Sequence, residues 1–153
     1  GVPPPSVELL AAGYRRKETR SSTDGREKWL NWVVRLPSNE LAGYVQATVL
    51  ASGASLVGYE FASKHWRQGI GSASINAMLT ELAESYTVHT FVAVLKSANY
   101  RSMGLLHHLG FSLGTTEDAR TYEAEEDDTV LLKAAGPALP PHGRARGLDI
   151  CST

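Results

Sequence analysis

A phosphate needs several hydrogen-bond donors converging on one point. The run His65-Trp66-Arg67-Gln68-Gly69-Ile70-Gly71-Ser72 offers such a set. Its two glycines stand one residue apart, just before a segment with helical periodicity. The first N–H groups of a helix have no partner within it, and they carry a partial positive charge. Glycines at that point let a bulky anion reach the backbone, because no Cβ stands in the way. A glycine-rich loop that merely turns the chain would read the same way on these residues alone. A nucleoside-triphosphate loop requires a lysine and then a hydroxyl after the second glycine, and Ser72-Ala73 follows Gly71 instead. A dinucleotide site requires a third glycine or alanine and an acidic residue at the end of the next strand. Ser74 and Leu95-Lys96 occupy those places, which leaves that reading little support.

Other residue types capable of chemistry add less. His107 and His108 are adjacent on one helical segment and point about 100° apart, so they share a metal poorly. His65, His89 and His142 have no cysteine or carboxylate at ligand spacing, and no metal site is expected. No Gly-x-Ser-x-Gly elbow supports a serine hydrolase. The single cysteine, Cys151, lies close to the end, so no intrachain disulfide forms and a cytoplasmic setting is expected.

These residues need elements to hold them. Residues 6–20, with Ser6 as a cap and Val7, Leu9, Leu10 and Tyr14 as apolar contacts, are expected to form a short helix after a proline-rich lead. Aromatic and β-branched residues over 29–36, 41–51 and 54–61, separated by Pro37-Ser38-Asn39 and Ser52-Gly53, predict three strands in an antiparallel meander. After the loop, Ile75, Met78, Leu79, Leu82 and Ala83 make one apolar stripe of a helix over 72–86. Residues 88–95 form a nearly all-apolar run, the pattern of a strand buried on both faces. A second helix spans 99–109 and stops at Gly110, a strand begins at Phe111, and 129–133 closes the sheet. The acidic stretch 117–128 is expected to be a loop or hairpin tip, and its carboxylates over 123–128 could attract a cationic acceptor or simply meet solvent. The fold class is α/β (α+β): one central, mixed, mostly antiparallel sheet flanked by helices. Three regions follow: a lead over 1–28, a domain over 29–134 and a flexible tail over 135–153.

Composition bounds the function. The chain has 153 residues, 42% hydrophobic and 20% charged, with a formal net charge of -1. That is one domain by length, with no basic stripe for nucleic acid. No apolar run approaches the ~20 residues that cross a bilayer, so no membrane partner is expected.

The segment Gln68-Gly69-Ile70-Gly71, set between a meander and a helix, resembles the coenzyme A pyrophosphate loop of the GNAT superfamily of N-acetyltransferases. Most members carry Arg or Gln three positions before the first glycine. Trp66 stands there, and Trp-x-x-Gly is similar to the branch typified by ribosomal-protein N-terminal acetyltransferases, the RimJ/RimL type. Asn99-Tyr100-Arg101-Ser102 followed by Leu109-Gly110-Phe111 resembles that branch's second signature, and the likeness covers roughly residues 29–134.

The resemblance implies acetyl-CoA as co-substrate, a primary amine as acceptor (a protein N-terminus or a small molecule), and direct attack in a ternary complex. It implies that the backbone of Arg67, Gln68, Gly69, Ile70 and Gly71, with the Ser72 hydroxyl, holds the pyrophosphate. A backbone N–H near Phe61 or Ala62 would stabilise the oxyanion, Asn99 would serve the pantetheine arm, and Ser102 would meet the leaving thiolate. Attack also requires a neutral amine, and Glu60 is the carboxylate placed to take its proton; a solvent-facing strand residue is the plain alternative. Tyr59 and Tyr100 read as core or rim, and Trp66 as loop packing. Two departures stand out. The family's first strand and helix look missing ahead of Trp29, so a bare first strand would make the chain dimerise. The tyrosine that many members carry seven residues after the asparagine is Leu106 here. Both departures favour the alternative, a non-catalytic coenzyme A-binding or regulatory module.

Overall fold

The computed structural model describes residues 8–10, 20–21, 25–66 and 68–136. Eight strands form one sheet: β1 (Glu8–Leu10), β2 (Arg20–Ser21), β3 (Lys28–Arg35), β4 (Leu41–Val49), β5 (Ala54–Phe61), β6 (Thr90–Lys96), β7 (Ser112–Leu113) and β8 (Asp128–Ala134). Three α-helices accompany them among the described residues, α1 (Ile70–Ser85), α2 (Tyr100–His108) and α3 (Thr116–Thr121), with one 3-10 turn at Ser63–His65. The spatial order is β1-β3-β4-β5-β6-β8-β7, with β2 also on β3, and every pairing is antiparallel except β5 with β6.

The meander and both long helices fall where the sequence predicts them. The α1 stripe buries Ile75, Met78, Leu79 and Leu82 against Leu30, Trp32, Val34 and Val45 of the meander. Burying one such side chain contributes roughly 1.5–3 kcal/mol. The apolar run of β6 serves both faces of the sheet. Phe91 and Ala93 join the α1 side, while Val92 packs with Ala54 and Val130 on the other. Helix α2 ends as expected on Gly110, at φ 96; the Gly110 N–H bonds His107 O and the Phe111 N–H bonds Leu106 O.

Two expectations change. The predicted helix over 6–20 is contradicted at Glu8–Leu10, which pairs with Val33–Arg35, and at Arg20–Ser21, which pairs with Lys28 and Trp29. Leu9-Leu10 beside a β-rich neighbour can satisfy its backbone on β3, and that pairing overrides a weak local helical pattern. A strand therefore does lie ahead of the meander, and the edge of β3 that was expected to drive dimerisation is paired at both of its ends. The second change is α3, which sits where an acidic loop was expected. Thr115 and Asp118 form a capping box, each side chain accepting the other's backbone N–H, at 3.1 Å and 2.7 Å. A cap of that kind is worth about 1 kcal/mol. The tail expected over 135–153 lies outside the described residues, apart from 135 and 136.

One feature of the sheet opens a cavity at its centre. β5 and β6 pair in parallel only from Ala54 with Thr90 to Leu56 with Val92. Beyond that, β5 stays on β4 as far as Phe61, and β6 stays on β8 as far as Lys96. The two strand ends part, and a gap opens between them. The opposite edge of β5 is held tight: a Cβ on Gly43 would stand 2.1 Å from Glu60 O and 2.8 Å from Phe61 Cα. Gly43→Ala is thus expected to push the end of β5 and to destabilise the fold by about 1–3 kcal/mol, read as a lowered urea midpoint.

Candidate functional site

The gap is roofed by two helix starts and forms a cavity of about 510 Å³. Tyr59, Glu60 and Phe61 of β5, His65 and Trp66 of the following turn, Gly69, Gly71 and Ser72 at the start of α1, and Asn99, Arg101, Ser102 and Leu105 of α2 line it.

The loop supplies free donors. Gly69 caps α1 in the left-handed conformation, at φ 77, which glycine adopts without strain. No side chain caps this helix and its first turn carries no acid. The N–H groups of Ile70, Gly71 and Ser72 precede the first intrahelical bond, from the Ala73 N–H to Gly69 O at 3.0 Å, so they remain for an anion. A Cβ on Gly71 would meet Leu105 and Phe61 at ordinary distances of 3.6 and 3.7 Å. Packing alone therefore does not demand glycine there.

The second helix start converges on the same space. Asn99 Oδ1 accepts from the Ser102 N–H at 3.2 Å, which makes Asn99 the N-cap of α2 and places the Ser102 side chain on the cavity wall. The cap reading of Asn99 thus holds together with a place at the site. Arg101 lies over the Trp66 ring, 4.1 Å from its centroid.

The end of β5 has two faces. Period two places Tyr59 and Phe61 on the helix side, their rings 6.0 Å apart, and Glu60 on the other. Glu60 Oε2 accepts from the Tyr44 hydroxyl at 2.9 Å. That bond raises the Tyr44 pKa above its ordinary value, with partial burial and the carboxylate's charge adding to it. The Tyr59 hydroxyl is buried with no partner in hydrogen-bonding geometry. Burial raises its pKa, opposed in part by the nearby Ser102 side chain, so the phenol keeps its proton.

The backbone alternates too. The Ala62 N–H donates to Ala42 O at 2.9 Å, so Ala62 is engaged with β4 and is not the oxyanion donor expected beside Phe61. Because antiparallel pairs alternate, Phe61, paired with Gly43, turns its N–H and carbonyl away from β4 and into the gap. The carbonyl accepts from Trp66 Nε1 at 3.0 Å.

The cavity therefore brings together Glu60, Phe61, Gly69, Gly71, Ser72, Asn99 and Ser102 of the residues singled out from sequence. Ile70 contributes backbone only, since its side chain is buried in the core. The Gln68 side chain turns away to Lys64 O at 3.3 Å, and Arg67 lies outside the described residues. Sequence reasoning missed Arg101 and Leu105 as wall residues, and it read Tyr59 as core or rim and Trp66 as loop packing where both line the cavity. Counting back two from Phe61 finds Tyr59, and counting three on from Ser102 along a helix finds Leu105. Leu106, the position without a tyrosine, is buried in the core. The acidic stretch does not face this cavity: Glu125, Asp127 and Asp128 all engage Lys96, whose pKa they hold well above its ordinary value.

The family profile described as "Acetyltransferase (GNAT) domain" matches residues 3–112. That match begins well ahead of Trp29 and takes in β1 and β2. Among curated proteins none matches the chain in sequence. Several solved structures share the fold. A domain from Methanocaldococcus jannaschii superposes with TM-score 0.59 at 19% identity, over 71% of this chain and 67% of that one. The acetyltransferase (GNAT family) from Bacillus anthracis gives 0.58 at 17%, over 69% and 66%, so the chain spans about two thirds of its length. Spermidine N-acetyltransferase from Vibrio cholerae, in complex with CoA and spermine, gives 0.57 at 15%, over 74% and 68%.

Proposed function

Because this chain belongs to the GNAT acetyltransferase family, we propose that it transfers an acyl group, acetyl foremost, from a coenzyme A thioester to a primary amine in a ternary complex. The observation that carries this reading is the parting of β5 from β6, which turns the Phe61 N–H into a cavity walled by Glu60 and by the free N–H groups of α1. The cradle fits a pyrophosphate: three unpartnered N–H groups at a helix start, glycine at positions 69 and 71, and no acid in the first turn.

Bound there, acetyl-CoA supplies an activated carbonyl. The chain's own residues do the rest. Ile70, Gly71 and Ser72 N–H groups hold the phosphates, and Asn99 and Ser102 flank the arm that leads inward. The Phe61 N–H donates to the carbonyl oxygen as negative charge builds on it. Glu60 takes the proton of the attacking amine, directly or through one water; a lysine-type amine is mostly protonated near neutrality (pKa ~10.4) and an α-amine only partly (~7.7–8.0). The Ser102 hydroxyl donates to the departing sulfur.

The Trp66-x-x-Gly69 loop and the Asn99-x-x-Ser102 helix start favour the N-terminal acetyltransferase branch, and with it a protein α-amine as acceptor. A cytoplasmic setting is the matching proposal, supported by the lone Cys151. Leu106 favours the second reading, a module that binds coenzyme A without turnover. Release of free thiol from acetyl-CoA, measured with a panel of peptides and polyamines, separates the two. Amine-dependent release is expected. Binding without release by any amine identifies the non-catalytic module, and absence of both overturns the proposal.

A further inference from the structure

The backbone of Phe61 faces an open gap where an ordinary sheet would supply a neighbouring strand. A strand end in that position is held on one edge only, by β4, yet its N–H must be aimed to within a fraction of an ångström to act on an oxyanion. The Phe61 carbonyl is not bare, because the Trp66 indole N–H donates to it at 3.0 Å. This ring is no ordinary packing residue: it is 43% exposed and lines the cavity. Its face carries the Arg101 guanidinium, 4.1 Å from the centroid, and Arg101 lines the same cavity. One side chain thus touches the reacting end of the site with its edge and the cationic wall with its face.

We infer that Trp66 is a positioning residue. Its indole N–H takes up the Phe61 carbonyl and so holds the end of β5 with the free Phe61 N–H aimed at the reacting carbonyl oxygen. Its ring meanwhile holds Arg101 flat against the anionic part of the bound thioester. This rests on the acyltransferase reading of the same cavity. The two duties are chemically separable, because one needs an N–H and the other needs a flat π surface.

Two substitutions divide them. Trp66→Phe keeps a ring beneath Arg101 and removes the donor. Trp66→Gln removes the ring and supplies an amide N–H that can reach the same carbonyl. With Trp66→Phe, kcat is expected to fall about tenfold or more, as misaligned groups do, while KM for acetyl-CoA stays within about threefold. With Trp66→Gln, kcat is expected to recover toward the wild-type value while KM rises, and Arg101→Gln is expected to raise KM with kcat retained. Melting temperatures taken alongside show that each variant is folded. A residue that only packs the loop would not split the two constants in opposite senses. Wild-type kcat in Trp66→Phe overturns the inference, and so does an equal change of both constants in the Phe and Gln variants. If wild-type protein neither binds nor turns over acetyl-CoA, the acyltransferase reading fails and this inference falls with it. If wild type is active and Trp66→Phe matches it, only this inference falls.

Discussion

Glu60→Gln is expected to reduce kcat for amine acetylation by about 10²-fold or more, the range of a general base, while acetyl-CoA affinity stays within about twofold. The substitution is nearly isosteric, and an amide oxygen can still accept from the Tyr44 hydroxyl that Glu60 now holds at 2.9 Å. The local structure therefore has no reason to move. What the variant loses is a group able to carry away a proton. The pH profile should show this: the deficit is largest below the acceptor's own pKa, and for an α-amine it narrows above about 8 as the amine deprotonates unaided. A second readout lies on the neighbouring tyrosine. The hydrogen bond to the Glu60 carboxylate is the largest cause of the raised Tyr44 pKa, so the neutral amide should bring it back toward the ordinary phenol value. Ultraviolet absorbance across a pH titration reads that change even with no acceptor known. A kcat unaltered by Glu60→Gln would reduce Glu60 to a strand residue that holds Tyr44.

Gly71→Glu is expected to abolish acetyl-CoA binding, with an affinity loss of about 10²-fold or greater, in a protein that stays folded. The position is helical and accepts a Cβ, with Leu105 and Phe61 at 3.6 and 3.7 Å. A longer side chain must project into the cavity that Gly71 lines. There its carboxylate fills the cradle and takes the N–H groups that a phosphate would use. At about 5 Å from a phosphate charge, with an effective dielectric of about 20, the repulsion is roughly 3 kcal/mol, which is about 10²-fold in affinity. Gly71→Ala separates bulk from charge: alanine is the better helix former by about 0.8–1 kcal/mol and adds no charge, so the fold should survive and the loss of affinity, from the Cβ alone, should be smaller than the glutamate's. Trp66 lines the same cavity, so quenching of tryptophan fluorescence follows binding in all three proteins. Equal affinity in the glutamate variant would place the thioester somewhere other than the α1 start.

Most of this site was legible because local rules govern it. The glycine pair announced the helix start, the period-3.6 stripe of α1 and the nearly all-apolar run of β6 were strong enough to survive tertiary context, and Asn99 read as a cap because asparagine caps helices. What escaped depended on pairing between distant segments. Nothing in Glu8–Leu10 says that β3 will offer it an edge, so a short apolar stretch read as helix became strand. The Thr115…Asp118 capping box was present in the sequence but was hidden inside a run of acids that read as solvated loop. Ala62 and Phe61 are indistinguishable as donors until the register with β4 is known. A single bond, Ala62 N–H to Ala42 O, then assigns one to the sheet and turns the other into the gap. Trp66 and Arg101 were missed as a pair for the same reason, since 35 positions of sequence separate residues whose rings and charges meet across two helix starts.

Titration of the wild-type protein with acetyl-CoA in a calorimeter tests whether the cavity between β5 and β6 receives an acyl-coenzyme A. Saturable binding at one site per chain, competed by coenzyme A itself, is the expected result. A folded protein that gives no heat with acetyl-CoA, at concentrations where its melting temperature also fails to rise, would contradict it.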